Sequence, residues 1–123
     1  MKTQTFSKTY RLLRKIDFLL AAENGSRFFT KNFIFYFLIR ESGQTRLGIT
    51  VSKKVGNAVY RNRIKRLLRE VFRKSADMVT FSADILVIAK RNCEVSNFDN
   101  VFKEWKKALE LCQRAITKSL GPA

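Results

Sequence analysis

The stretch from Asn57 to Lys74 constrains the fold of this chain more than any other. Wound at about 100° per residue, it gathers Tyr60, Ile64, Leu67, Leu68, Val71 and Phe72 into one arc. Opposite lie Asn62, Arg66, Arg69 and Arg73, flanked by Arg61 and Lys65 on one side and by Arg63 and Glu70 on the other. The pattern specifies a helix over 58–74, begun by Asn57 as N-cap, with its apolar arc packed on a sheet.

The outer arc is not an ordinary solvated face. Such faces mix both signs of charge and make i,i+4 pairs. Residues 52–74 hold nine Lys or Arg and one acid, Glu70, with Arg63 and Arg66 as its expected neighbours. Arginine dominates, and its flat fork of donors takes two phosphate oxygens at once. The whole chain repeats the bias, with 25 Lys plus Arg against 10 Asp plus Glu and a formal net charge of +15. The expected partner of so basic a folded domain is a nucleic acid. No terminal helix pairs a basic face with a Trp/Leu-rich insertion face, so no membrane partner is expected.

At 123 residues, 46% of them hydrophobic, the chain suits a single domain with its own core. Met1 to Tyr10 carries no apolar run of the signal-peptide kind, and the longest apolar stretch, Phe33 to Ile39, is too short to cross a bilayer. Cys93 and Cys112 lie far apart, compatible with one disulfide but better suited to two reduced thiols in a cytoplasmic protein.

Along the chain, residues 1–11 read as an extended arm. A short helix at 15–24 carries an apolar stripe of Ile16, Leu19 and Leu20 and ends at Asn24-Gly25. Phe33 to Ile39 is a strand with Phe33, Phe35, Phe37 and Ile39 on one face and Ile34, Tyr36 and Leu38 on the other. After a turn at Glu41 to Gln44, Arg46 to Ser52 forms an antiparallel hairpin with it. Gly48, Thr50 and Ser52 leave one side of that strand small and open. Asp84 to Ala89 is apolar on both faces and belongs in the centre of a sheet. Ser96, with Asp99 behind it, caps a last helix whose core stripe is Phe98, Val101, Phe102, Trp105, Leu109, Cys112 and Ile116, before a frayed tail from Lys118. The order is α-β-β-α-β-α, an α+β sandwich with a small sheet covered by helices.

Two rings stand off the core stripes. Phe18 lies opposite Ile16, Leu19 and Leu20, and Tyr36 lies on the second face of its strand. Either ring can stack on an unpaired base, or pack under the arm or in the core. Lys90-Arg91 adds charge at a strand end. There is no His, no paired-carboxylate motif and no Gly-rich phosphate loop. No catalytic side chain and no metal ligand is therefore proposed, since two-metal hydrolysis needs several converging acids.

The run Arg46-Leu-Gly-Ile-Thr-Val-Ser-Lys-Lys-Val-Gly-Asn-Ala-Val-Tyr-Arg-Asn-Arg-Ile-Lys-Arg-Leu-Leu-Arg-Glu-Val-Phe72 strongly resembles the signature of the bacterial ribonuclease P protein component. Arg11-Leu12, Asp17-Phe18, Phe33 to Tyr36 and Ile88-Ala-Lys-Arg91 resemble it more loosely. The resemblance implies a small mixed sheet with a left-handed β-α-β crossover, like the second domain of a ribosomal protein, against the usual handedness. It implies that Arg61, Asn62, Arg63, Lys65, Arg66, Arg69 and Arg73 dock on a catalytic RNA. It also implies that Phe18, Tyr36, Ser52, Lys53, Lys54, Asn57, Lys90 and Arg91 hold the single-stranded 5′ leader of precursor tRNA.

In such a ribonucleoprotein endonuclease the RNA, with Mg²⁺ bound mainly by RNA, performs the hydrolysis, and one protein monomer serves each RNA. Ala22, one turn after Phe18, stands where the family often carries a further aromatic. A structural, ribosomal-type RNA-binding protein fits the composition equally but not the motif. A DNA-binding regulator would need a helix-turn-helix pair, whereas this basic helix sits between strands.

Overall fold

Strand alternation builds the sheet and helix periodicity covers it. The computed structural model describes residues 14–95 and 97–120. Among these the order is α1 (Lys15–Asn24), β1 (Ser26–Phe29), β2 (Phe33–Arg40), β3 (Arg46–Thr50), α2 (Ala58–Lys74), β4 (Ser82–Ala89) and α3 (Phe98–Leu120), with 3-10 turns at Lys53–Val55 and Ala76–Met78. The expected arm at 1–11 and the last three residues lie outside the described part. Helix α3 includes Lys118 and continues through Leu120.

The fold is α+β with a mixed four-stranded sheet in the order β1-β2-β4-β3. β1 with β2 and β2 with β4 are antiparallel, while β3 with β4 is parallel. β4 is buried along nearly its whole length, as its apolar composition on both faces requires.

This order overturns the expected hairpin. The chain does reverse after β2, but β3 lands one strand-width further away and β4 fills the slot between them. The segment before β3 clasps the incoming strand. Thr45 Oγ1 donates to Phe81 O (3.0 Å) and accepts from Ala83 N (3.3 Å), and Ser82 Oγ donates to Gly43 O (2.7 Å). Strand β1 was not expected at all. It is a four-residue edge strand, too short to show a period, pinned by Phe28 edge-on against Phe37 at 5.8 Å.

One sheet face carries Phe33, Phe35, Phe37, Leu47, Ile85 and Val87, all buried beneath α2 and α3. Trp105 stands at the centre, 4.2 Å from the Phe72 ring and stacked on Phe37 at 5.9 Å. Its indole N–H donates to Ser75 Oγ (2.8 Å), which donates to Val71 O (2.5 Å). Ile39, expected on this buried face, is exposed at the end of β2, paired with Ala83 at the start of β4. Asn97 Oδ1 accepts from Asn100 N (3.0 Å) at the start of α3, whereas Ser96, the expected cap, lies outside the described residues. Cys93 and Cys112 are free and buried, and burial pushes each thiol up to about 12.

Helix α1 lies across β2 and β4 on the second face, but the other way up from its apolar stripe. Ile16, Leu19 and Leu20 are 51%, 55% and 41% exposed, while Asp17 and Ala21 are buried. Charge pairing decides the matter. Arg46 is fixed to Asp84 by two hydrogen bonds and brings Nη2 to 3.5 Å from Asp17 Oδ1. Turning the stripe inward would carry Asp17 out to water and give up its contact with Arg46.

Candidate nucleic-acid interface

The outer face of α2 forms where the sequence places it. Asn57 Oδ1 accepts from Tyr60 N (2.9 Å) and starts the helix. Ile64, Leu68, Val71 and Phe72 are buried, with Tyr60 and Leu67 packed at the edge of the core. Asn62, Arg63, Arg66 and Arg69 are exposed on the other side, and Lys65 is half-buried. Arg61, also half-buried, donates from Nε to Gly56 O at 3.1 Å.

Arg73 differs from the rest. Its guanidinium is forked onto Glu70, with Nε at 3.1 Å from Oε1 and Nη2 at 2.6 Å from Oε2. Glu70 therefore pairs with Arg73 and not with the expected Arg63 or Arg66. The hydrogen bonds from Arg73 hold its carboxyl below the usual range. The net cationic ridge is the stretch 62–69, with Arg73 largely neutralised at its end.

The second group converges through strand pairing. Thr50 and Ile88 are register partners in the parallel β3/β4 pair, so Ser52, Lys53, Lys54 and Asn57 follow β3 at the sheet end where Lys90 and Arg91 follow β4. Ser52, Lys53, Lys54, Asn57 and Arg91 are exposed. Lys90 is anchored, its Nζ donating to Thr30 O (2.5 Å) and its backbone N–H to Asn32 O (2.8 Å). Asn32 is itself fixed by Glu104, which accepts from its backbone N–H (2.8 Å) and its Nδ2 (2.6 Å).

Gly56 lets this turn close. A Cβ there would meet Tyr60 Cδ2 at 2.8 Å. The Tyr60 ring cannot yield freely, because its hydroxyl donates to Cys93 O (2.9 Å) and accepts from Val95 N (3.0 Å).

Tyr36 is half-buried on the second sheet face, in register with Leu86 and, beyond it, Gly48. Phe18 is half-buried on the flank of α1, beside the buried edge formed by Asp17 and Ala21. Among the described residues neither ring meets another aromatic ring. Ala22 is exposed. The α2 ridge and the Tyr36 face lie on opposite sides of the sheet, so the expected residues form two surfaces that meet at the turn between β3 and α2.

A family model described as Ribonuclease P matches residues 6–113. The chain belongs to the ribonuclease P protein family. The ribonuclease P protein component of a Geobacter species is 42% identical over 104 residues, covering 85% of this chain and 89% of that one. That of Desulforapulum autotrophicum is 47% identical over 91 residues, covering 74% and 78%. Among solved structures, the Staphylococcus aureus RNase P protein superposes with a TM-score of 0.74 at 34% identity, covering 85% of this chain and 96% of that one. The RNase P protein from Thermotoga maritima gives 0.72 at 32%, covering 80% and 94%.

Three features of this ribonuclease P family member escaped the sequence reading. The Asp17–Arg46–Asp84 cluster is one. Burial alone would raise the Asp17 carboxyl, but hydrogen bonds from the Arg14 backbone and side chain, with the Arg46 charge, hold it below its ordinary value. Arg27 and Phe29 are the others, placed on the Tyr36 face by register with Tyr36 and Ile34. The adjacent pair Phe28-Phe29 is the signal that was available, since a strand must send one ring in and the other out.

The buried and paired carboxylates do not fit a protein-held metal. Asp84 is taken by Arg46, Glu70 by Arg73, and Glu104 by Asn32 and Thr30. No described group of three His, Cys, Asp or Glu could hold an ion. No described helix is long and apolar enough to cross a membrane.

Proposed function

We propose that this chain is the cytoplasmic protein subunit of ribonuclease P, which aids a catalytic RNA in removing the 5′ leader from precursor tRNA. The observation that carries this reading is the outward cationic ridge of α2, in a member of this family, on a helix whose other edge is sealed into the core.

In this reading Asn62, Arg63, Lys65, Arg66 and Arg69 dock on the catalytic RNA, Arg61 contributes from the first turn, and Arg73 contributes least. Each phosphate they neutralise releases counterions, so affinity falls steeply with salt. The leader crosses the sheet end on the other side. There Lys53, Lys54, Lys90 and Arg91 meet phosphates, Ser52 and Asn57 offer polar contacts, and Phe18 and Tyr36 stack on unpaired bases without reading sequence. Mg²⁺ would supply the hydrolytic chemistry and would be held mainly by the RNA. One monomer serves one RNA.

The test is cleavage of precursor tRNA by the catalytic RNA at low Mg²⁺, with and without this protein. Stimulated removal of the leader is expected. Tight RNA binding without stimulation would leave a structural RNA-binding protein instead.

A further inference from the structure

We infer that Phe29, bracketed by Arg27 and Lys90, is a second base-stacking platform on the open sheet face, seating an unpaired nucleotide of the leader. The inference deepens the leader-binding reading and rests on it.

Phe28 and Phe29 are adjacent on an edge strand and meet opposite fates. Phe28 packs edge-on against Phe37 in the core, whereas Phe29 is 54% exposed. One exposed phenylalanine is unremarkable by itself. This one is flanked by two cations. The Arg27 guanidinium lies 5.2 Å and the Lys90 ammonium 5.6 Å from the ring centroid. Lys90 is held in place by Thr30 O. Arg27 is exposed and, among the described residues, its side chain makes no hydrogen bond or ion pair, so it is at liberty to turn to a phosphate or to the far side of a seated base. A flat apolar ring between two positive groups suits a nucleotide, which presents a π-face and a phosphate together.

Register places the site. Arg27 pairs with Tyr36 and Phe29 with Ile34, so Phe29 and Tyr36 are diagonal neighbours on one face. Such neighbours stand about 7–8 Å apart, a span that lets consecutive nucleotides of an extended strand use both rings. A duplex hides its base faces, so only a single strand can use the pair.

The experiment uses the full chain assembled with its catalytic RNA, and measures affinity for a precursor tRNA with a long unpaired leader and for mature tRNA. Phe29→Ala should weaken precursor binding about tenfold, the order expected for loss of one base–aromatic stack. It should leave mature tRNA binding unchanged, and Phe29→Trp should keep precursor affinity. If Phe29→Ala binds the precursor normally while Phe18→Ala or Tyr36→Ala does not, this inference is overturned and leader binding stands. If none of the three variants changes precursor affinity, both fall. An equal loss for precursor and mature tRNA overturns the platform too, because the ring would then act away from the leader.

Discussion

Arg46 grips Asp84 through both ends of its guanidinium, Nε at 2.9 Å from Oδ1 and Nη2 at 2.7 Å from Oδ2, joining the outermost strand to the one beside it. Asp84 is buried, and Arg40 Nε approaches the same carboxylate at 3.6 Å. Removing Asp84 takes both short hydrogen bonds from Arg46 and leaves it only the longer contact with Asp17, at 3.5 Å. Asp84→Ala should therefore lower stability by about 3 kcal/mol, the lower end for a broken buried pair, since Arg46 keeps some access to water. Replacing both Arg46 and Asp84 by leucine should not recover the loss, because buried Asp17 then loses Arg46 as well. Urea midpoints of the three proteins check this.

The same cluster makes stability depend on pH in a known direction. The Asp17 carboxyl is held below its ordinary value, so its contribution is complete above an unfolded-state value of about 4. It is lost as pH falls through the lower folded-state value. Stability should drop between about pH 5 and pH 2, and Asp17→Asn should flatten that slope while lowering stability at neutral pH. Urea denaturation across this range measures both.

On the α2 ridge, Arg66→Ala and Arg69→Ala should each weaken binding to the catalytic RNA and reduce the log–log salt slope by about one. Arg73→Ala should do markedly less, because Glu70 already neutralises that guanidinium. Glu70→Gln should tighten binding by releasing Arg73. Titrations at several salt concentrations separate these outcomes.

Ser75 is a small residue with a structural task, accepting the indole N–H of Trp105 deep in the core. Ser75→Ala leaves that donor without a partner and should cost about 1–3 kcal/mol, far more than the lost hydroxyl contact with Val71 suggests. Thermal or urea unfolding would show it.

Both thiols should be inert in the folded protein. With Cys93 and Cys112 buried and each pushed up to about 12, thiolate is scarce at neutral pH. Iodoacetamide should label neither until the protein is unfolded, and then both. Rapid labelling of the native protein at pH 8 would contradict this.

How far these features could be read from the chain depends on how local they are. Helix α2 was legible because its cap, period and charge all lie within one segment, and Asn57 binds Tyr60 as the spacing requires. The central place of β4 was legible because residues apolar on both faces need cover on both. The position of β3 was not. It is chosen by a partner for Arg46 that lies 38 residues on, and a turn signal at 41–44 cannot count strands. The orientation of α1 was not legible, because it turns Asp17 toward a distant arginine and periodicity does not register charge partners. The candidate site divides the same way. The ridge on α2 follows from its own sequence, whereas Arg27 and Phe29 depend on an edge strand too short to announce itself.

The slot between β2 and β3 has a consequence for synthesis. A ribosome that has made everything through Lys74 has made both flanks of the sheet and the basic helix, but not the strand that joins them. Docking of that helix must wait until Ser82–Ala89 threads into the gap, a late and long-range event. Until then the growing chain carries its positive charge on a segment with no fixed seat, and its RNA-gripping shape waits on a strand made after the helix itself.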